Sequence, residues 1–495
     1  PATPVKLTVL HTNDHHGRFW KNNDGEYGLA ARKTLIDGIR AEVKASGGHL
    51  LLLDGGDVNT GVPESDTQDA EPDFKGMKML GYDAMALGNH EFDKPLPVLA
   101  KQMEWAGFPM ISANIYKGDK RMFTPYVVFD RGGLKIAVLG RTTNDTQKFV
   151  DPVNIAGVTF TKPAEEAAKI MPELKSKAHV VFAATHMGHY ANGFSGVNAP
   201  GDVEMARAVK GFDLIVGGHS QNPVCMIDQL RRNEAYQPGG PCKPDLQNGA
   251  WIVQAHEWGK YVGRADFEYS AGQLKLVNYT LVPINLKKTV KAADGKDQKV
   301  FATQEIAEDP AMLAMLKPYQ DKGRAALDVV VGQSDGRLVG ERDIVRKEPT
   351  NLGVFIASVM MNRAKADVGM MNAGGIRDSL PAGALTYKDV LKVQPFGNML
   401  AYVDISGKEL MDYLNAAAKM SAGAGAFPQF AGIRLEIANG VVTNARIKGL
   451  QIDPAKTYRL ALNSFQANGG DGYPKLSGHP GYVNTGFVDA DVRRE

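Results

Sequence analysis

Five short apolar runs in the first half of the chain each end abruptly in a cluster of Asp, His, Asn and Gly residues. Runs of this length that are rich in β-branched residues are typical of buried strands, and segments with apolar residues at helical spacing lie between them. Ligands of open α/β sheets bind beyond the carboxyl ends of the strands, where such clusters would meet. The sequence therefore predicts a layered α/β fold with one convergent polar site. The clusters are Asn13–His16, Asp54–Asp57, Gly88–Asp93, Thr185–His189 and Gly217–Gln221.

The predicted elements of this part alternate along the chain. The strands are Val5–Leu10, Leu50–Leu53, Pro109–Ile115, Leu134–Leu139, His179–Thr185, Leu214–Val216 and Trp251–Gln254, and the helices include Leu29–Val43 and Lys162–Leu174.

The residue types in the clusters indicate a metal site. Asp, His and Asn supply oxygen and nitrogen ligands without any thiolate, which favours Zn²⁺, Mn²⁺, Co²⁺ or Fe over a cysteine-based structural zinc. A single histidine after a strand is more often a structural residue than a ligand, but five such clusters in order favour a site. Ten of the 11 histidines precede residue 257, and only His479 lies beyond it. The metal chemistry is therefore expected in the first part of the chain.

Composition excludes several classes of protein. A chain of 495 residues is long enough for two or three domains, and 57 basic against 55 acidic residues leave a net charge of +2. This balance argues against a nucleic-acid partner. No run approaches the roughly 18 consecutive apolar residues of a membrane helix.

The second part of the chain begins after a polar connection. Residues 287–308 are polar and irregular, and Pro310–Leu327 has the pattern of one helix. We therefore predict a catalytic domain over residues 1–309, a linker helix over 310–328 and a second domain over 329–495.

The chain has two cysteines, Cys225 and Cys242, separated by 17 residues in one Pro/Gly-rich segment. A disulfide closing a loop of this size would contribute about 3 kcal/mol in the loop-entropy model. Two unrelated thiols are the alternative. A disulfide would indicate an oxidising compartment.

The ordered motifs resemble those of a known superfamily. Asp-x-His, Gly-Asp, Gly-Asn-His-Glu, His and Gly-His resemble the motif set of the calcineurin-like two-metal phosphoesterases. Along essentially the whole chain, the closer resemblance is to the bacterial periplasmic UDP-sugar hydrolase/5′-nucleotidase family. The segments that carry it in the first domain are Thr12–Gly17, Gly61–Asp66, Asn89–Asp93 and Gly218–Gln221.

This resemblance implies a fold and a ligand set. The fold would be a four-layer α/β/β/α metallophosphoesterase domain followed by a smaller α+β 5′-nucleotidase C-terminal domain. Two divalent metal ions (Zn, Mn or Co) would bind in the first domain. One ion would be held by Asp14, His16 and Gln221, the other by Asn89, His186 and His219, with Asp57 bridging both. Gln221 stands where the wider superfamily commonly has a second histidine.

The resemblance also assigns His90 and Asp93 to catalysis. A carboxylate three residues after a histidine can accept from one ring nitrogen and favour the imidazolium form, which suits stabilisation of the transition state or protonation of the leaving group. The alternative is that Asp93 only caps its own turn. His11, His15, His189 and His256 do not match ligand positions and are interpreted as supporting or structural groups.

Three segments of the second domain resemble the nucleotide-binding segments of 5′-nucleotidases. They are Asn372–Asp378, Gln394–Asn398 and Asn468–Pro474. The resemblance implies base stacking by Phe396 and Phe465, ribose binding by Asp471, a base pocket lined by Asn398 and Gly425, and phosphate binding by Arg342, Arg346 and Arg377. Without the family, the two phenylalanines would be read as core residues and the arginines as a solvated surface.

The implied function is hydrolysis of nucleoside 5′-monophosphates and other 5′-nucleotides to nucleoside and phosphate, and of UDP-sugars to UMP and sugar phosphate. The implied mechanism is in-line attack of metal-bound hydroxide, and we expect a domain rotation because metals and nucleotide pocket lie in different domains. One alternative is a 2′,3′-cyclic-nucleotide phosphodiesterase/3′-nucleotidase, and another is a nucleotide-binding surface protein with a relict site.

The expected partners are small-molecule nucleotides and nucleotide sugars, with no nucleic acid and no membrane span, and the expected state is a monomer. The chain begins at Pro1 rather than Met. With the resemblance, this predicts a periplasmic protein whose signal peptide has been removed.

Overall fold

The apolar runs of the first part form parallel strands in two six-stranded sheets. The computed structural model describes residues 4–191 and 199–492. The strands up to residue 301 are β1 Val5–Thr12, β2 His49–Asp54, β3 Ala84–Ala86, β4 Met110–Ile111, β5 Ile115–Lys117, β6 Lys120–Arg121, β7 Tyr126–Arg131, β8 Leu134–Thr142, β9 Val158–Phe160, β10 Val180–His186, β11 Leu214–Val216, β12 Asp245–Gln247, β13 Ala250–Val253, β14 Tyr261–Ser270, β15 Gln273–Pro283, β16 Lys287–Lys291 and β17 Asp297–Phe301.

The helices of this part occupy the connections between strands. They are α1 Leu29–Ala45, α2 Pro63–Asp66, α3 Glu71–Leu80, α4 Leu96–Ala106, α5 Thr146–Phe149, α6 Pro163–Lys177, α7 Asp202–Ala208 and α8 Pro310–Leu327. Helix α3 ends at Gly81, whose positive φ of 76° permits the left-handed residue that closes a helix.

The first sheet has the strand order β15-β14-β1-β2-β3-β4, and the second has the order β12-β13-β11-β10-β8-β7. Strands β1 to β4 are parallel to one another, as are β8, β10, β11 and β13. Parallel strands need apolar residues on both faces because other layers cover both sides. On the outer face of the second sheet, Leu139, Val181 and Ile215 pack against residues of α6 and α7. Between the sheets, Phe182 contacts Phe267 with ring centroids 6.1 Å apart.

The second part of the chain is built on a five-stranded sheet with the order β22-β19-β26-β21-β27. Its strands are β18 Val330–Ser334, β19 Val368–Asn372, β20 Gly383–Thr386, β21 Met399–Ser406, β22 Pro428–Ala431, β23 Arg434–Ala438, β24 Val441–Ile447, β25 Leu450–Gln451, β26 Thr457–Asn463 and β27 Tyr482–Val488. Its helices are α9 Arg342–Val345, α10 Asn351–Arg363, α11 Tyr387–Val393, α12 Gly407–Ala418, α13 Ser464–Ala467 and α14 Asp489–Val492. Helices α11 and α12 each begin with a capping box, at Thr386 and Ser406.

The chain divides into two compact units. The first comprises the residues up to Thr60, Glu64–Thr146 and Gly157–Gly323, and the second comprises Gly61–Pro63, Gln147–Ala156 and the residues from Arg324 onward. The division falls inside α8, so the limits predicted from the sequence at 309/310 and 328/329 stay predictions. The two short segments that group with the second unit carried no signal in the sequence.

Residues 287–308 are more regular than expected. Strands β16 and β17 pair antiparallel across this segment. Half of their side chains are charged and most are exposed, as at Lys288 and Lys299, so the apolar alternation that predicts a strand is missing. The prediction of an irregular connection was therefore wrong for these ten residues.

The two cysteines form a disulfide, Cys225–Cys242, so the alternative of two unrelated thiols was wrong. Among the described residues, no helix is long and apolar enough to cross a membrane.

Gly263 on β14 lies opposite His11 on β1 and leaves room for its buried ring. His11 Nε2 lies 2.9 Å from the hydroxyl of Tyr279, and burial lowers the pKa of His11 to about 3, so the ring is neutral. A side chain at residue 263 would overlap this ring.

We therefore expect Gly263→Ala to lower the free energy of unfolding by about 1–3 kcal/mol through overpacking. Chemical denaturation provides the measurement. Gly38→Ala is the matched control, because Gly38 is exposed within α1 with no neighbouring atom near its missing Cβ. That control should stabilise the chain by up to about 1 kcal/mol. Equal midpoints for the two variants would contradict the packing argument.

Candidate dimetal site and nucleotide pocket

The carboxyl ends of five parallel strands bring the predicted ligands of the first unit together. Each ligand ends its strand or follows it by a few residues. Asp14 and His16 follow β1, Asp57 follows β2, Asn89 follows β3, His186 ends β10, and His219 and Gln221 follow β11.

Asp57 lies at the centre of this group. Its Oδ2 is 2.9 Å from His186 Nε2 and 3.7 Å from His16 Nε2, while its Oδ1 accepts a hydrogen bond from the backbone N–H of His90 at 2.9 Å. One carboxylate oxygen thus faces two histidines that the resemblance assigns to different metals. Two three-residue groups share Asp57, with the ligand atoms of each group within 4.8 Å of one another. They are His16, Asp57 and His90, and Asp57, His186 and His219.

Backbone carbonyls fix the orientation of two ligand rings. His16 Nδ1 lies 2.8 Å from the carbonyl oxygen of Thr60, and His186 Nδ1 lies 2.6 Å from that of Gly55. A carbonyl oxygen only accepts, so each Nδ1 donates to a carbonyl and each Nε2 is the ring nitrogen that faces the site. This is the arrangement in which metal-ligating histidines are held.

The donor set fits a pair of divalent cations. His186 Nε2 is buried and makes no hydrogen bond, although it lies 2.9 Å from a carboxylate oxygen. Asn89 Oδ1 is 3.0 Å from His219 Nδ1, and Gln221 Nε2 is 3.2 Å from His16 Nε2. These nitrogen and oxygen atoms lie within hydrogen-bond distance of one another, a spacing that suits coordination of a shared ion.

The electrostatics also favour positive charge here. Burial lowers the pKa of His186, but the carboxylate of Asp57 raises it by more, to about 10. Burial alone would raise the pKa of Asp57, yet His186 and His90 hold that pKa well below its usual value. The buried carboxylate thus needs a neighbouring positive charge, which a cation supplies.

Five of the seven predicted ligands have left-handed backbone conformations. The φ angles are 51° at Asp14, 48° at His16, 63° at Asp57, 79° at His219 and 58° at Gln221. Non-glycine residues adopt this region rarely, and each instance costs about 1–3 kcal/mol. Observed strain of this kind clusters at functional sites.

His90 and Asp93 form the predicted pair. His90 Nδ1 is 2.6 Å from Asp93 Oδ2, which also accepts from the hydroxyl of Thr60 at 2.5 Å. The two side chains are only 13% and 10% exposed, and the ring of His90 lies 5.2 Å from that of His16. Asp93 therefore does more than cap a turn, because its carboxylate orients the imidazole.

Glu91 has a role that sequence reasoning missed. Its Oε2 accepts from the backbone N–H groups of Asp57 (2.9 Å) and Gly88 (2.6 Å), and its Oε1 accepts from those of Val58 (2.8 Å) and Asn59 (3.3 Å). A single buried carboxylate thus joins the turn that carries Asp57 to the turn that carries Asn89. Glu91 stands in the motif beside Asn89 and His90, but nothing in the sequence shows its bonds to a turn more than 30 residues away.

His15 is a second supporting group. Its Nε2 lies 2.6 Å from Asp73 Oδ1, and its Nδ1 lies 3.1 Å from a guanidinium nitrogen of Arg32. Arginine only donates, so Nδ1 accepts and Nε2 donates to Asp73. Burial lowers the pKa of His15 well below its usual value. The neutral ring therefore anchors the turn between Asp14 and His16.

In the second unit, the three predicted arginines lie close enough for Arg342 and Arg377 to repel Arg346. Arg342 begins α9, Arg346 follows the end of that helix, and Arg377 follows β19 by five residues. Burial, together with Arg342 and Arg377, lowers the pKa of Arg346 well below its usual value, and the Nε of Arg346 is buried with no hydrogen-bond partner. Clustered cations of this kind favour binding of an anion such as phosphate.

Asp471 lies near this cluster. Burial raises its pKa to about 6, while a hydrogen bond from Asn372 and the charge of Arg346 lower it. Asn372 Nδ2 donates to Asp471 Oδ2 at 2.9 Å, and Asn463 Nδ2 donates to Asn372 Oδ1 at 2.9 Å. Sequence reasoning missed this chain of amides, although Asn372 opens one of the segments that resemble a nucleotide site.

Three of the remaining predicted pocket residues, Gly425, Phe396 and Phe465, lie near Asp471 or one of the arginines. A Cβ built on Gly425 would be 3.6 Å from Asp471 Oδ2 and 3.9 Å from Arg346 Cζ. Arg377 Cζ lies 5.7 Å from the ring centre of Phe396. Phe465 packs against Gly470, the neighbour of Asp471. Asn398 is partly buried just before β21, and its carbonyl accepts from the N–H of Asp489.

Comparison with known proteins gives a family for each part of the chain. Residues 7–223 match the family described as Calcineurin-like phosphoesterase, and residues 330–478 match the one described as 5′-nucleotidase, C-terminal domain. The chain is 59% identical to a 5′-nucleotidase of Vibrio cholerae over 99% of this chain and 90% of that protein. It is 58% identical to protein UshA of Escherichia coli over 98% of this chain and 90% of that protein.

The chain belongs to the 5′-nucleotidase family of calcineurin-like phosphoesterases. A solved relative has the same fold. The crystal structure of a 5′-nucleotidase precursor from Thermus thermophilus matches with a TM-score of 0.78 and 32% identity, over 99% of this chain and 95% of that chain. The predicted two-domain α/β architecture is thereby confirmed. Calcineurin-like phosphoesterases bind a divalent dimetal centre, and the groups around Asp57 are candidate ligands for such a centre.

The bonds of Glu91 lead to a prediction about metal binding. In Glu91→Gln, either orientation of the amide points its NH₂ group at two backbone N–H groups. We expect a loss of about 10- to 100-fold in metal affinity, the range seen when groups that support ligands are changed. Titration calorimetry of the metal-free protein measures this affinity. Glu104→Gln on the exposed face of α4 is the control and should bind metal like the wild type. Unchanged metal affinity in Glu91→Gln would show that the hydrogen bonds of Glu91 do not set the ligand geometry.

Proposed function

We propose that this protein hydrolyses nucleoside 5′-monophosphates and other 5′-nucleotides to nucleoside and phosphate, and splits UDP-sugars into UMP and sugar phosphate. The observation that carries the proposal is the convergence of metal-ligand side chains on Asp57, together with 59% identity to a protein named 5′-nucleotidase over 90% of its length.

The proposed ligand set divides between two ions. Asp14, His16 and Gln221 would hold one, Asn89, His186 and His219 the other, and Asp57 both. Nitrogen and oxygen donors without thiolate suit zinc, manganese or cobalt. Two such ions, when bound, neutralise phosphoryl oxygens and lower the pKa of water enough for in-line attack on phosphorus.

His90 is the proposed proton-handling residue. Asp93 Oδ2 accepts a hydrogen bond from His90 Nδ1 at 2.6 Å and so holds the ring in one orientation. Nε2 is then the ring atom that stabilises a phosphoryl oxygen or gives a proton to the leaving oxygen. The carboxylate of Asp93 favours the charged form of the ring.

The second unit supplies the proposed nucleotide pocket. The fork-shaped guanidinium groups of Arg342, Arg346 and Arg377 pair with phosphate oxygens. Phe396 and Phe465 would stack on the base, with Asn398 and Gly425 lining that pocket, and Asp471 would accept from the ribose hydroxyls. Stacking contributes about 1–3 kcal/mol per base and tolerates any base, so a broad base range is expected.

Three further expectations accompany this function. The disulfide supports an oxidising compartment, and we propose the periplasm. A monomeric state and a domain rotation during turnover stay predictions.

A substrate panel tests the proposed activity. AMP, UDP-glucose and 2′,3′-cyclic AMP are incubated with the metal-loaded protein, and phosphate, UMP and nucleoside are measured. We expect turnover of AMP and UDP-glucose and little of the cyclic nucleotide. Preferential turnover of 2′,3′-cyclic AMP would favour the cyclic phosphodiesterase. Turnover of none of the three would favour a binding protein with a relict site.

Removal of the His90 ring tests the mechanism. We expect His90→Ala to lower kcat for AMP by about 10²- to 10⁴-fold, because proton transfer in the transition state contributes that much. Metal content, measured by elemental analysis, should remain that of the wild type. His179→Ala, which removes an exposed histidine just before β10, is the control and should retain full turnover. Near-wild-type kcat in His90→Ala would contradict the assignment of His90 and Asp93 to catalysis.

A further inference from the structure

A histidine that is not a predicted ligand joins the two ligand turns of the second sheet. His189 is fully buried, and its four polar groups all make hydrogen bonds. The backbone N–H of His189 donates to the hydroxyl of Ser220 at 2.9 Å, and Ser220 lies between His219 and Gln221. The backbone N–H of Gly188 donates to the carbonyl of Gly218 at 2.9 Å. The turn after His186 is therefore bonded directly to the turn that carries two other ligands.

Two charged residues hold the ring and carbonyl of His189. Arg232 Nη1 donates to the His189 carbonyl oxygen at 2.7 Å and lies 3.0 Å from ring Nδ1. Asp245 Oδ2 lies 2.8 Å from ring Nε2. Because arginine has only donors, Nδ1 accepts from Arg232 and Nε2 donates to Asp245. These bonds fix both the tautomer of His189 and the position of its backbone.

Both partners of the His189 ring lie within or just after the loop that the disulfide closes. Arg232 lies inside the loop that Cys225–Cys242 closes, and Asp245 follows Cys242 by three residues. Within the loop, the N–H of Asn233, next to Arg232, donates to the carbonyl of Cys225 at 2.7 Å. The loop begins four residues after Gln221, so the disulfide limits the distance that Arg232 can move away from the ligand turns.

We infer that Arg232 is a positioning residue of the metal centre, which the Cys225–Cys242 loop holds against His189. This inference depends on the proposed ligand set at His186, His219 and Gln221. Arg232 is only 16% exposed, and it also forms an ion pair with the exposed Glu234. Loss of its two bonds would leave the carbonyl of His189 buried without a partner and would free the turn after His186. The metals would then dissociate faster.

Metal release tests the inference without using activity. Metal-loaded wild type, Arg232→Met and Arg231→Met are mixed with excess chromogenic chelator, and the release rate is followed. Arg231 is the matched control, because it lies in the same loop, is 70% exposed and pairs with Asp228 at the surface. We expect release from Arg232→Met to be about 10- to 100-fold faster and release from Arg231→Met to match the wild type.

The visible spectrum of the cobalt-substituted protein gives a second readout. It reports ligand geometry, so it should change in Arg232→Met and not in Arg231→Met. If Arg232→Met does not fold, Arg232→Lys and the double variant Cys225→Ser/Cys242→Ser take its place, with the same direction expected. Equal release rates for the folded variant and Arg231→Met overturn the inference. A wild type that binds fewer than two metals overturns the ligand set itself, and the inference with it.

Discussion

Two cations held a few ångströms apart need an anion between them, and we propose Asp57 for that position because it is shared by both candidate ligand groups. Its Oδ2 faces His16 and His186, and the amides around it are fixed by Glu91. The strand ends alone do not fix the position of Asp57 relative to Asn89, because the two residues lie on turns that follow different strands, β2 and β3. Glu91 joins the two turns by accepting from backbone N–H groups of both.

The predicted site of the second unit is positively charged, in contrast to the carboxylate and imidazole site of the first unit. Arg342, Arg346 and Arg377 lie close together with Asp471 nearby, and burial together with the repulsion from the other two arginines lowers the pKa of Arg346. Such a cluster is costly unless an anion neutralises it. The chain therefore separates an acidic and imidazole site in one unit from a guanidinium site in the other. The net charge of +2 does not reveal this separation, because the acidic and basic residues of the whole chain nearly cancel.

Periodicity in the sequence predicts the elements that bury apolar side chains. The strand Leu214–Val216 and the helix Pro310–Leu327 have the predicted limits. Periodicity did not predict β16 and β17, because these strands pair through their backbones and none of their residues is buried. The convergence of the ligands followed from strand order, since parallel strands end at one edge. The roles of Glu91 and Arg232 did not follow, because they act through hydrogen bonds to backbone groups more than 30 residues away, which no local pattern encodes.

The left-handed backbone at Asp14, His16, Asp57, His219 and Gln221 has a consequence for protein engineering. At each of these positions glycine would suit the main chain better than the residue present. A library selected only for thermal stability would therefore drift toward glycine and lose its metal ligands one at a time. Selection of more robust variants needs these five codons held constant, and the gains should be sought at exposed helical positions such as Gly38.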